Sequence, residues 1–167
     1  MRIQYYVTNG LKKLTDESMT PIITYLIIGV TCVVSYLAVN DSALRARLLF
    51  VPAQVKDRGE SYRFLTHGFI HADFMHLLFN MWALYIFGPY AESACLAMFG
   101  AAFGGAAYLL FYLAAIVASS YITYTRHADN YGYSALGASG AVAAVMWPFI
   151  FIQPWAWFIF PPLPAII

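Results

Sequence analysis

Three of the chain's four histidines and an asparagine crowd into one stretch, His67-Gly-Phe-Ile-His71-Ala-Asp-Phe-Met-His76-Leu-Leu-Phe-Asn80. On a helix, residues four apart share a face, so His76 and Asn80 point the same way. His67 and His71 repeat that spacing one step earlier. Imidazole and amide groups can ligate a metal, move a proton, or donate hydrogen bonds to a developing oxyanion. A run of strongly apolar residues follows them, and polar side chains at hydrocarbon depth are expensive enough to mark a site.

A second stretch, Leu136-Gly137-Ala138-Ser139-Gly140-Ala141-Val142, offers what that histidine face could serve. Ser139 stands at a helix start, where main-chain N–H groups lack intrahelical acceptors and can serve an oxyanion. Gly137, Ala138, Gly140 and Ala141 are small, so another helix can bring His76 and Asn80 close. The nucleophile elbow Gly-x-Ser-x-Gly of the α/β hydrolases is excluded, because position 141 is alanine. On its own, Gly-Ala-Ser-Gly reads first as a serine in a small-residue packing seam.

The elements that must position these residues are apolar spans. Of the 167 residues 62% are hydrophobic and only 10% charged, far below the roughly 25% charged of soluble domains. Between Arg63 and Arg126 the only charges are Asp73 and Glu92, and none follows Asp129. A net charge of +1 excludes a basic surface for nucleic acid. Cys32 and Cys95 lie in apolar runs and suggest neither a disulfide framework nor a zinc site.

In order, residues 1–20 form a polar head that is no signal peptide, and Pro21 to about Asn40 is the first span, near the ~20 residues a crossing needs. Residues 41–66 form a mixed loop with an apolar patch, Leu48-Leu49-Phe50-Val51-Pro52, that suits the membrane interface. A second span runs from about Phe74 to the Gly88-Pro89 break. A third covers about Ala94 to Tyr121, and its Gly100-xxx-Gly104 spacing suits close helix packing. A polar loop from Thr123 to Ser134 precedes a fourth span that opens at Leu136 and ends at Gln153-Pro154. The last residues read as the start of another span, so the chain is expected to be a fragment. The head carries three Lys/Arg and the first loop five, which leans toward a cytoplasmic first loop.

Together the two stretches resemble the rhomboid intramembrane serine proteases. His71-x4-His76-x3-Asn80 in one span, then Gly137-Ala138-Ser139-Gly140 opening a later one, carry the resemblance. It extends through Tyr62-Arg63-Phe64-Leu65-Thr66 and through Phe87-Gly88-Pro89-Tyr90-Ala91-Glu92. Leu49-Phe50-Val51-Pro52 and Phe160-Pro-Pro-Leu-Pro-Ala-Ile-Ile167 look like the form the family takes in some bacteria.

The resemblance implies an all-α, polytopic helical bundle of the rhomboid type, with about four spans of an expected six, over residues 21–167. Ser139 would be the nucleophile, with His76, Asn80 and the Ser139 N–H stabilising the oxyanion. Gly137 and Gly140 would shape the backbone at the nucleophile. His67 and His71 would be structural, holding the first loop to the helix core, and Glu92 would help fix the next connection. No cofactor or metal is implied. The partners would be the bilayer and single-span membrane substrates, and the setting a bacterial inner membrane with the N-terminus cytoplasmic, against the charge count.

One part is missing from the pattern. The family's base is a histidine on a sixth span, and no histidine follows His127 here. His127 lies in the polar loop, outside any helix that would present it. Ala143 replaces the family's usual aromatic. The chain is therefore expected either to lack its last two spans or to be a non-catalytic relative that binds transmembrane helices without cutting them. A third reading makes His67 and His71 an i,i+4 ligand pair for metal or haem, which leaves Asn80 and Ser139 unexplained.

Overall fold

A computed structural model describes residues 20–152. The polar head, the break at Gln153-Pro154 and the proline-rich end lie outside the described residues.

The first span, α1 (Ile22–Asn40), is apolar almost throughout, yet the face it buries is its small and polar one. Thr24, Thr31, Ser35 and Ala38 point inward, while Leu26, Val30, Val33 and Leu37 are exposed. A soluble helix does the opposite. Lipid gives large apolar side chains no reason to hide, and small inward residues let helices approach closely. The same inversion marks the later helices, where Phe79, Trp82, Phe103 and Leu110 are exposed. The protein is a helical membrane protein.

Three short helices fill the first loop: α2 (Ser42–Leu48), α3 (Pro52–Arg58) and α4 (Arg63–Thr66), the last continuing into a 3-10 turn at His67–Phe69. The apolar patch expected at the membrane interface instead turns inward at Phe50 and Pro52. Phe50 is 0% exposed and its ring packs between Phe64 and His67. Packing beneath the loop offers that ring more contact than an interfacial position.

α5 (Phe74–His127) corrects the expected end of the second span. Pro89 lies inside the helix, and the chain turns only at Gly100, where φ is 74° and ψ 169°. That backbone region is essentially reserved for glycine. Eight residues of straight helix would separate Leu96 from Gly104 by about 12 Å. A Cβ on Gly104 would instead meet the Leu96 nitrogen at 2.8 Å. Residues 74–99 and 101–127 are therefore two spans folded back on each other, and each exceeds the roughly 20 residues a crossing needs. Gly100 thus makes the turn, and Gly104 alone supplies the close approach. Proline is tolerated within a membrane helix because neighbouring groups re-satisfy the freed carbonyl. Gly88 serves as a packing residue: a Cβ there would lie 3.1 Å from the Tyr108 hydroxyl and would collide with Thr24.

α6 (Ser139–Ile152) packs mainly on α5, around Leu84, Phe87, Tyr112, Ile116 and Val145. Its start follows an extended segment at residues 135–138, so the fourth span begins at Ser139 rather than at Leu136.

Glu92, expected to fix the connection that follows it, reaches back to the beginning of α1. Pro21 caps that helix without any side-chain bond. The Glu92 carboxylate accepts from the N–H of Ile23 (3.0 Å) and of Thr24 (2.9 Å) and from the Thr24 hydroxyl (2.7 Å). A carboxylate suits a helix N-terminus both by charge and by its acceptors. Glu92→Ala strands these donors in a buried place, since Glu92 is 3% exposed. The expected loss is about 3 kcal/mol, read as a lower thermal unfolding midpoint in detergent, with Glu92→Gln intermediate.

Candidate active site

Ser139 is the first residue of α6, so its main-chain N–H has no intrahelical acceptor. Three of the four residues before it are pinned: Ala135, Gly137 and Ala138. Ala135 and Phe50 exchange both main-chain hydrogen bonds, at 2.9 and 3.0 Å, in an isolated antiparallel bridge. The Gly137 N–H donates to the His67 carbonyl at 2.9 Å, and the Ala138 N–H donates to His71 Nε2 at 3.4 Å. The first loop thus holds the approach to the serine at three points. Gly137 has φ of +111°, and a Cβ there would meet His76 Cε1 at 2.7 Å. Both the backbone and the imidazole therefore require glycine.

Asp73 caps α5 by accepting from the His76 N–H at 2.8 Å. That cap sets the helical phase that turns His76 toward Gly137 and Asn80 inward. The His76 ring also meets His71 edge-on, with centroids 5.0 Å apart. Asn80 is buried, and its Nδ2 donates to the His76 carbonyl at 2.9 Å, leaving one amide N–H for another acceptor. Gly137, two residues before Ser139, is thus brought against His76, with Asn80 one turn further along the same helix face. The Ser139 side chain is exposed and lines a cavity of about 170 Å³ with His67, Ser119, Ser120 and Thr123. Its hydroxyl has no hydrogen-bond partner among the described residues. Gly140 sits against Ser119, where a Cβ would collide with that side chain.

The expected helical pairing of His67 with His71 is not what forms. His67 belongs to the 3-10 turn and His71 to the extended stretch after it. His67 Nδ1 faces the Arg63 carbonyl at 3.1 Å, and both His71 nitrogens are engaged, with Ser35 and with Ala138. Sequence spacing alone suggested a shared face, but the chain leaves the helix between them. Burial pushes the His67 imidazole below its ordinary value. Burial and then the neighbouring His76 push His71 down to about 4, with Asp73 opposing. Both rings are neutral at physiological pH.

His127 also differs from expectation. It ends α5 instead of lying in a loop, and its ring stacks on Tyr133 with centroids 3.8 Å apart. Ala143 is exposed.

Arg63 is the residue whose work the spacing did not reveal. It is 5% exposed, and its Nη1 donates to the carbonyls of Ala46 (2.9 Å), Arg47 (2.8 Å) and Leu49 (2.6 Å), while Nε donates to Glu60 at 2.6 Å. It closes the end of α2 and sets the position of Phe50. Its signal in the sequence was a cation set between Tyr62 and Phe64, just before His67. Arg63→Ala leaves three carbonyls without their donor, at a cost of about 3 kcal/mol. Limited proteolysis in the first loop is expected to accelerate in parallel with a fall in thermal midpoint. At the loop's outer edge Lys56 pairs with Asp129, and Tyr131 donates to Asp57.

The family model of the Rhomboid domain matches residues 58–167. Rhomboid protease GlpG of Haemophilus influenzae is 30% identical over 134 residues, which cover 77% of this chain and 61% of that protein. YdcA of Bacillus subtilis, provisionally named a rhomboid protease, is 31% identical over 94 residues, covering 56% of this chain and 42% of that protein. The chain spans less than two thirds of the length of either relative.

Proposed function

The chain belongs to the rhomboid family, and from that premise we propose that it forms the serine-bearing part of an intramembrane serine endopeptidase that cuts transmembrane segments of membrane proteins. The observation that carries this reading is the pinned approach to Ser139, with the His76 ring against Gly137. Ser139 Oγ attacks the scissile carbonyl and its proton passes to a base. The carbonyl oxygen gains the negative charge, and the Ser139 N–H, His76 and Asn80 stabilise it. Collapse of that tetrahedral species expels the amine, which takes the proton from the base, and leaves an acyl-serine that water hydrolyses. Gly137 gives the His76 ring its place beside the approach to the serine, and Gly140 lets the start of α6 close on Ser119. His67 and His71 hold the first loop against the serine's approach.

The resemblance assigns the base to a histidine; none follows Ser139 within these 167 residues, and His127 is stacked on Tyr133. The substrates are single-span proteins, and the protein sits in a bacterial inner membrane with its N-terminus cytoplasmic and the first loop on the outer face. A second reading, a non-catalytic binder of transmembrane helices, draws on the Ser139 hydroxyl having no base among the described residues.

The test reconstitutes the full-length protein with a labelled single-span substrate in liposomes. Cleavage within the membrane segment supports the protease reading. Saturable binding without any product supports the second reading and sinks the first.

A further inference from the structure

Ser35 has no part in the mechanism above, and an apolar span does not by itself need a hydroxyl there. It is 2% exposed, and its Oγ lies 2.9 Å from both the Phe69 carbonyl and His71 Nδ1. A hydroxyl has one proton. A carbonyl only accepts, so the Ser35 proton belongs to Phe69, and the Ser35 oxygen accepts from an Nδ1–H on His71. His71 Nε2 is then unprotonated, as it must be to accept the Ala138 N–H at 3.4 Å. Every bond in this chain therefore has a fixed direction, from Ala138 through His71 and Ser35 to Phe69. The other tautomer would set an N–H against the Ala138 N–H.

We infer that Ser35 is a positioning residue for Ser139: it holds the His71 proton on Nδ1 and so keeps Nε2 as the acceptor for the peptide N–H just before the nucleophile. The kinetic consequence rests on the protease reading of Ser139, whereas the proton's place rests on geometry alone. Gly137, at φ of +111°, gives that peptide little sideways support of its own. Rotating it would carry the Ser139 N–H off the developing oxyanion, and a misplacement of about 1 Å can cost about 10²-fold in rate.

The groups facing His71 are Ser35 from α1, the Ala138 N–H ahead of α6, the His76 ring and the Asp73 carboxylate. Burial and His76 oppose a second proton and Asp73 favours it, with the balance at about 4. The folded value lies below the ordinary 6.5, so the unfolded chain takes up the proton first. Stability is therefore lost as pH falls from 6.5 toward about 4, and is fully present above 6.5.

The experiment uses the full-length protein with 15N-labelled histidine, as wild type, Ser35→Ala and Ser35→Thr. NMR reports which His71 nitrogen carries the proton, and cleavage of a single-span substrate gives kcat and KM. The expected result is Nδ1–H in the wild type and in Ser35→Thr, with the proton moving wholly or partly to Nε2 in Ser35→Ala. kcat falls roughly ten- to a hundredfold in Ser35→Ala, KM stays within about twofold, and Ser35→Thr restores kcat. An Nδ1–H retained in Ser35→Ala overturns the inference, as does a kcat loss that Ser35→Thr shares with its tautomer intact. If the threonine variant does not fold, the wild-type and alanine spectra decide by themselves. If the wild type cuts nothing, the protease reading falls, while the spectra still uphold or overturn the place of the proton.

Discussion

Ser139→Ala in the full-length protein is expected to reduce cleavage of a single-span substrate to background, with folding unchanged. The Ser139 side chain is exposed, and its hydroxyl has no hydrogen-bond partner among the described residues. Deleting it strands no buried group, so the stability change should stay within about 0.5 kcal/mol. The loss in rate is of another order. Without the nucleophile the acyl-enzyme route closes, and losses on the order of 10⁴-fold or more follow when such a residue is removed. The two readouts are the rate of product formation and the thermal midpoint. A variant inactive because it is unfolded would lose both, whereas the expected variant loses only the first.

His76→Ala is expected to have the next largest effect. Its ring lies against Gly137, and the proposed mechanism makes it an oxyanion donor. Removing one oxyanion donor typically costs about 10²–10³-fold in kcat. The donor acts on charge present only in the transition state, so KM should change by no more than about twofold. Asn80→Ala should cost less, because one of its two amide N–H groups is already committed to the His76 carbonyl. If His76 and Asn80 serve one oxyanion, the double variant loses less than the product of the single losses. A His76→Ala variant with unchanged kcat would remove His76 from the machinery.

What the sequence disclosed was local. His76 and Asn80 share a helix face because four residues make about one turn, and that geometry holds in α5. Ser139 at a helix start was legible from the small residues around it. The bundle of apolar spans was legible from composition, since few charges are left to face water.

What escaped it depends on contacts between distant segments. Gly88-Pro89 carries a soluble protein's stop signal, but within a bilayer the helix continues and Gly100 makes the turn. The mixed loop whose apolar patch suited the membrane interface is folded around Arg63, whose carbonyl partners lie 14 to 17 positions earlier. Nothing in the sequence of the first span singles out Ser35. Its importance comes from His71, 36 positions away, and neither residue marks the other in the sequence. The regular spacing of Thr24, Thr31 and Ser35 along one face of α1 was the available signal that this face points inward.

The most direct test of the central claim treats the folded full-length protein with a reactive phosphonate that modifies activated serines, then maps the adduct by mass spectrometry. Modification is expected at Ser139, to be lost on unfolding, with cleavage falling in proportion to labelling. A protein that cleaves its substrate while Ser139 stays unmodified, or that carries the adduct on another serine, would contradict the claim.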